Sequence, residues 1–181
     1  LFRQWLMKNH TQTESIWLII YKKDAAKKSV TYPEAVEEAL CFGWIDSRPN
    51  KIDADSYKII FSPRKPKSVW SKVNKKKIDD LIKSGLMHEA GLAKIEASKK
   101  NGSWTALDNV EEYIMPAELA KAFSKNKIAT KNFDAFPPSV KKQILSWIAS
   151  AKQPGTKQKR ITETVTLAAE NKRANQYQKK I

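Results

Sequence analysis

The segment 61–74 combines cations, hydroxyl groups, prolines and one tryptophan in a way that suits the binding of an anion. Arg64 can bind an oxyanion through two parallel hydrogen bonds, whereas Lys67 and Lys72 act as point charges. Trp70 offers a flat face on which a base or a sugar can stack. In the alternative interpretation Trp70 fills the core and the cations are solvated. The residues predicted to form the site in this part of the chain are Arg64, Lys67, Trp70, Ser71, Lys72, Asn74 and Lys75.

Three further candidates lie on a short predicted strand just before this segment. Trp44, Asp46 and Arg48 are spaced two residues apart, so their side chains share one face of the strand. The carboxylate of Asp46 could orient a ligand, or it could form a structural ion pair with Arg48, which is the simpler interpretation. We include all three residues in the predicted site.

Clusters of lysine at two predicted helix starts also indicate an anionic partner. Residues 75–77 fall in the first turn of a helix predicted over 75–84, and residues 157–160 follow a predicted cap at Thr156. Cations in a first turn are disfavoured by about 0.3–1 kcal/mol each, because the helix dipole is positive there. The same helix end attracts anions through its free N–H groups. Added cations therefore lower the stability of the helix but strengthen the binding of an anion at its start.

The sequence lacks the usual signatures of an enzyme. Cys41 would need a nearby histidine to act as a thiolate nucleophile, but His10 and His88 lie in no recognisable motif, and a buried structural thiol is favoured. With five glycines in the chain, neither phosphate-loop nor dinucleotide-binding patterns are present. Two scattered histidines argue against a transition-metal site. We therefore expect a protein that is not an enzyme and has no cofactor and no metal.

The net charge of +15 is unevenly distributed along the chain. Residues 58–77 carry eight basic and no acidic groups, and residues 152–181 carry eight basic and two acidic groups. A basic field of this kind favours an anionic ligand, an acidic protein surface, nucleic acid or anionic lipid, although solubility alone is an alternative explanation.

Hydrophobic patterning predicts an α+β protein: a small antiparallel or mixed sheet with helices, followed by a helical C-terminal module. The run 16–21 is predicted as a strand buried on both faces, and residues 44–48 and 57–61 as a hairpin. Thr31 and Glu34 form a capping box that starts a helix, which Gly43 ends. The domains are predicted over 1–104 and 105–181. No stretch reaches the roughly 18–20 apolar residues of a membrane span, and the first residues do not resemble a signal peptide. The chain begins with Leu1, so we expect residues to precede it in the native protein.

Several of these segments carry a family resemblance. They are Tyr32–Asp46, Pro63–Asn74, Ile82–Met87, Asn101–Trp104 and, further on, Pro116–Leu119, Trp147–Lys152 and Arg160–Ile161. Together they resemble the YdeI/OmpD-associated, or bacteriocin-protection, family of bacterial proteins over nearly the full chain. Ser47 and Lys157 depart from the pattern, which has glycine and arginine at these positions.

The resemblance implies a fold similar to the YjbR/CyaY-like superfamily and a role in resistance to bacteriocins or other antimicrobial stress. It implies no catalytic residues, and the family name suggests an association with an outer-membrane porin in the envelope. Since a protein of charge +15 repels cationic peptides at long range, we do not expect direct sequestration of a cationic bacteriocin.

Three functions follow from the sequence. The first is a non-enzymatic binding or adaptor protein that engages an anionic ligand or protein surface. The second is a nucleic-acid-binding module, and the third is an unrecognised enzyme that uses Asp46 with Arg64 or Cys41. We expect a cytoplasmic location, with the periplasm as the alternative.

Overall fold

The computed structural model describes residues 1–175, and the chain divides into two compact units. The first comprises Leu1–Ala106, and the second begins at Leu107. The boundary predicted from the sequence, between residues 104 and 105, lies close to this division. Each unit has a separate hydrophobic core, so each is described by itself.

The first unit contains a small antiparallel sheet and four helices. Its elements are α1 (Phe2–Asn9), β1 (Ile16–Tyr21), α2 (Tyr32–Cys41), β2 (Trp44–Asp46), β3 (Asn50–Lys51), β4 (Ser56–Pro63), α3 (Lys72–Lys83) and α4 (Glu89–Lys100). The strand order is β1-β4-β2, and the short β3 also pairs with β4. All pairs are antiparallel, and Asp46 faces Phe61 across the β2–β4 pair. The predicted α+β class is therefore confirmed.

Strand β1 differs from the prediction that both of its faces are buried. It lies at one edge of the sheet and alternates, with Trp17 and Ile19 each 48 % exposed and Ile20 buried. The continuous apolar run was misleading because it does not show which face of the strand is covered. Lys58 lies over the exposed Trp17 ring, with its Nζ 4.4 Å from the ring centroid.

The residues at the two ends of α2 include Gly43, which positions the backbone of Arg64 in the candidate site. Thr31 caps the helix as predicted: its backbone N–H donates to the Glu34 carboxylate (2.8 Å), and its hydroxyl accepts from the Glu34 N–H. Gly43 follows with φ +75°, a conformation that side chains disfavour. Lys94 Cγ would lie 2.6 Å from a Cβ at this position. The carbonyl of Gly43 accepts a hydrogen bond from the Arg64 N–H (2.9 Å), which anchors the backbone just beyond β4.

Helix α3 begins three residues earlier than predicted. Ser71 is its N-cap, and the hydroxyl accepts from the Asn74 N–H at 3.2 Å. Lys72 is therefore the first helical residue and Lys75 the fourth, whereas Lys76 and Lys77 lie beyond the first turn. The argument that three consecutive lysines crowd the positive end of the helix dipole is therefore wrong for Lys76 and Lys77.

The second unit is helical in the part that the structure describes. Its helices are α5 (Asp108–Glu111), α6 (Ala117–Ser124), α7 (Lys127–Ala135), α8 (Pro138–Ala149) and α9 (Pro154–Ala169). Leu119, Phe123, Phe133 and Ile144 belong to a core formed between these helices. Pro138 opens α8 as predicted, but α9 starts at Pro154, so Thr156 lies inside the helix rather than at its cap. Among residues 1–175, no helix is long and apolar enough to cross a membrane.

Candidate anion-binding site

Two of the residues predicted to face a ligand are instead deep in the first unit. Trp70 is 1 % exposed and belongs to the hydrophobic core, and Trp44 is fully buried. The prediction that Trp70 offers an accessible stacking face is therefore wrong. The physical reason is the size of the indole: a large apolar ring that packs against Trp104 and shares a core with Ile78 gains more from burial than from exposure.

Arg64 is buried with Trp70, at 3 % exposure, and the two side chains are in contact. The guanidinium carbon lies 3.4 Å from the centroid of the Trp70 ring. Arg64 Nη1 donates to the carbonyl of Val69 (3.1 Å), which closes the loop between β4 and α3 over the guanidinium. Arg64 is thus held on two sides, by its backbone bond to Gly43 and by this loop.

Three buried donors at this point have no acceptor within the described residues. They are Arg64 Nε, Arg64 Nη2 and Trp70 Nε1. Buried polar atoms without a partner are rare in folded proteins and cost about 1–3 kcal/mol each, and more when they are charged. All three belong to one stacked pair of side chains, so they mark one location in the unit.

A small cavity of about 60 Å³ adjoins this pair. It lies between the loop after β4 and the exposed side of α4, and its lining residues are Arg64, Lys65, Pro66, Ser68, Trp70, Lys94, Ala97 and Ser98. One water needs about 10–15 Å³ of such volume, so the cavity has room for several waters or one small ion. Three lining side chains are cationic and none is acidic.

The loop that covers the cavity is fixed by hydrogen bonds to the end of α4. The Pro66 carbonyl accepts from Asn101 Nδ2 (2.7 Å) and from Ser103 Oγ (3.4 Å). The Ser68 N–H donates to the Lys65 carbonyl (2.9 Å), which forms a turn. The rigidity of Pro66 and these bonds give the cavity a defined wall.

Burial lowers the pKa of Arg64 to about 10, and the nearby negative charge of Asp46 acts in the opposite direction. The guanidinium is therefore charged at neutral pH. Asp46 itself accepts a hydrogen bond from the Tyr32 hydroxyl (2.7 Å). Burial, followed by this contact with Asp46, raises the pKa of Tyr32 to about 12. Arg48 lies beyond the end of β2 and is exposed, whereas the negative charge of Asp46 acts on the buried Arg64.

The remaining predicted residues form the outer surface rather than the cavity. Lys67 and Lys72 are exposed, and Asn74 and Lys75 are half-buried on α3. Lys75 lies over Trp104, with its Nζ 5.2 Å from the ring centroid, and Trp104 in turn packs against Trp70. Ser71 serves as the helix cap described above.

Of the residues that line the cavity, only Arg64 and Trp70 were predicted, and Lys65, Lys94 and Ser98 are among those that sequence reasoning missed. Lys94 and Ser98 are spaced four residues apart on α4, so they lie on one face of that helix. This spacing was a usable signal, but the sequence does not show that this face lies against the loop after β4.

The second predicted cluster of cations, at the start of α9, makes contacts with other residues of its own unit. Arg160 donates to the carbonyl of Trp147 and to Ser150 Oγ (2.9 Å), and Lys157 pairs with Glu118 (2.8 Å). Lys157 and Arg160 are thus engaged within their own unit, and an anion site at this helix start stays a prediction.

Cys41 is buried beside the core, and burial raises the pKa of its thiol, with Arg3 acting in the opposite direction. The His88 ring stacks on Phe42, and its Nδ1 accepts from the Ala90 N–H at the start of α4. Within residues 1–175 no group of three or more His, Cys, Asp or Glu side chains could hold a metal ion.

These features define a two-unit protein, an α+β unit with a small cationic cavity followed by a helical unit. Residues 1–94 match the model of a domain of unknown function, DUF8412, and because this is more than half of the chain, the protein belongs to that family. Residues 112–171 match the model described as bacteriocin-protection, YdeI or OmpD-associated, which confirms the resemblance for the helical unit. Similarity to the YjbR/CyaY-like superfamily stays a prediction. No curated protein and no solved structure matches the chain.

Proposed function

We propose that this protein is a non-enzymatic adaptor that binds an acidic protein surface and acts in protection against bacteriocins or related antimicrobial stress. The match of residues 112–171 to the bacteriocin-protection family supports the second part of this proposal. The first part rests on one observation: the acid-free segment 58–77 forms a fixed loop and the start of a helix that carry exposed lysines.

Lys65 and Lys67 are exposed on a loop whose backbone is held by other atoms. Lys65 and Lys67 flank Pro66, whose carbonyl accepts a hydrogen bond from Asn101. The conformation of the loop therefore does not depend on either lysine side chain. Lys72 projects from the first residue of α3 and is also exposed. A loop whose backbone is already fixed loses little backbone entropy when it meets an acidic surface, and charge complementarity raises the association rate.

An acidic protein surface is favoured over nucleic acid by the burial of Trp70. Binding of single strands without sequence preference relies on exposed aromatic rings that stack on bases. The tryptophan in the basic segment is not accessible for that role. The absence of catalysis is part of the same proposal, and the raised pKa of the Cys41 thiol supports it because the thiolate is the nucleophilic form. The cytoplasm is the proposed location, and the periplasm, with porin association, is the alternative.

The test is a charge reversal of the outer lysines. The double variant Lys67→Glu/Lys72→Glu should bind a fluorescein-labelled polyglutamate peptide about tenfold more weakly, since exposed charge pairs contribute about 0.2–1 kcal/mol each. Glutamate at the first residue of α3 is favourable for the helix dipole, so this variant should fold. Fluorescence anisotropy at several salt concentrations measures the affinity.

Lys121→Glu/Lys125→Glu is the matched control, because both lysines are exposed and lie in the second unit. Equal peptide affinity in the two double variants would reject the basic segment as the binding surface. If duplex DNA binds more tightly than the peptide, with an affinity that falls steeply with salt, the nucleic-acid function replaces this proposal.

A further inference from the structure

The side chains that line the cavity at Arg64 carry mainly hydrogen-bond donors. Three buried N–H groups of Arg64 and Trp70 have no protein acceptor, and Lys65 and Lys94 are cationic. The Ser98 hydroxyl already donates to the Ile95 carbonyl (2.7 Å), so it offers lone pairs only. A site with this composition calls for a ligand that accepts hydrogen bonds.

The charge of the cavity distinguishes between water and an anion. Water can accept from one or two of these donors, but it brings protons of its own and does not compensate the guanidinium. An oxyanion brings several acceptor oxygens and neutralises a buried charge that Asp46 compensates at longer range without a direct ion pair. The guanidinium edge formed by Nε and Nη2 is the edge that binds two oxygens of one oxyanion in parallel.

The volume of the cavity and its path to solvent limit which ligands can bind. A volume of about 60 Å³ holds one phosphate, sulfate or short carboxylate group, but not a nucleoside or a sugar. Lys65 and Lys94 are exposed, so the cationic lining continues from the buried guanidinium to solvent. A small ion can follow this path, whereas the loop held by Asn101 and Ser103 limits larger groups.

We propose that the cavity between the loop after β4 and helix α4 is a binding site for one small oxyanion, held by Arg64 Nε and Nη2 and by Trp70 Nε1. Lys65 and Lys94 attract the ion at the mouth. Lys67 and Lys72, the lysines changed in the test of the acidic partner, do not line the cavity, so the two proposals can be tested separately.

The test is a titration of the full chain with inorganic phosphate at constant ionic strength, followed by ¹H–¹⁵N NMR. The Arg64 Nε–H and Trp70 Nε1–H signals should shift in a saturable manner, with a midpoint in the millimolar range or below. A spectrum of Trp70→Phe assigns the indole signal. Parallel titrations with sulfate and acetate show whether the site prefers a tetrahedral ion or a carboxylate.

Two variants complete the experiment. Arg64→Lys keeps the charge but loses the paired donors and should abolish saturation. Lys94→Glu should weaken phosphate binding at least tenfold, and it changes an exposed residue, so it remains informative if the buried substitution prevents folding. Lys100→Glu is the matched control on the same helix, because Lys100 does not line the cavity.

A linear response to phosphate, or an equal affinity in Lys94→Glu and Lys100→Glu, would overturn the proposal. The Lys67→Glu/Lys72→Glu variant should bind phosphate like the wild type. Failure of the acidic-partner proposal and failure of the oxyanion site therefore give different results.

Discussion

Trp44 and Trp70 are both fully buried in the same core, but their indole N–H groups have different surroundings. Trp44 Nε1 donates to the His10 carbonyl (3.2 Å), whereas Trp70 Nε1 has no acceptor in the part of the chain that the structure describes. The two residues form a natural pair for measuring the free-energy cost of an unsatisfied donor, because replacement by phenylalanine removes a similar volume at each position.

We expect Trp44→Phe to lower the free energy of unfolding by about 1 kcal/mol more than Trp70→Phe, since only the first loses a hydrogen bond, the one to the part-buried His10 carbonyl. Urea unfolding in phosphate-free buffer measures the difference. Saturating phosphate should reduce this difference, because Trp70 then gains an acceptor that phenylalanine cannot use. An equal loss for both variants in both buffers would contradict this account.

Residue types in the basic segment indicated an anion site, but they did not reveal which side chains lie inside. Arg64 was predicted as a candidate for paired hydrogen bonding, and that role stays a prediction. Trp70 was misjudged because exposure depends on Ile78 and Trp104, which come from other elements. Local composition can thus suggest the chemistry of a site, while tertiary packing decides which groups reach the ligand.

At the level of elements, caps and glycines were the most informative sequence features. Helix α2 begins at the capping box of Thr31 and ends before Gly43, as predicted. Both ends are set by local hydrogen bonds and backbone conformation. The start of α3 was placed too late because Ser71 lacks a glutamate three residues on. The exposure of β1 was missed because it depends on which layers cover the sheet.

Ser71, which was predicted as a ligand contact, is the N-cap of α3. We expect Ser71→Ala to lower the free energy of unfolding by about 1 kcal/mol, because the Asn74 N–H loses its acceptor. Ser71→Asp, which preserves an acceptor, should restore most of the loss. Chemical denaturation of both variants checks this. If Ser71→Ala left stability unchanged but weakened partner binding, Ser71 would be a contact residue after all.

At the level of the whole molecule, both proposed binding surfaces belong to one unit, whereas each unit has a hydrophobic core of its own. The acid-free segment and the cationic cavity both belong to the first unit, and the family match to bacteriocin-protection proteins falls on the second. The two hydrophobic clusters share no residue among those described. A chain with two cores is expected to unfold in two steps when one of them is weakened.

Ile144 tests this expectation, since it is fully buried in the second core. We expect Ile144→Ala to destabilise the second unit by about 2–5 kcal/mol through the cavity that it leaves. The first transition in a calorimetric scan should then move to lower temperature and separate from a second transition that stays in place. Phosphate should raise only the temperature of that second transition, because an ion bound at Arg64 stabilises the unit that holds it. A single transition that shifts as a whole would show instead that the two cores unfold as one, and the oxyanion site would then stabilise the entire chain.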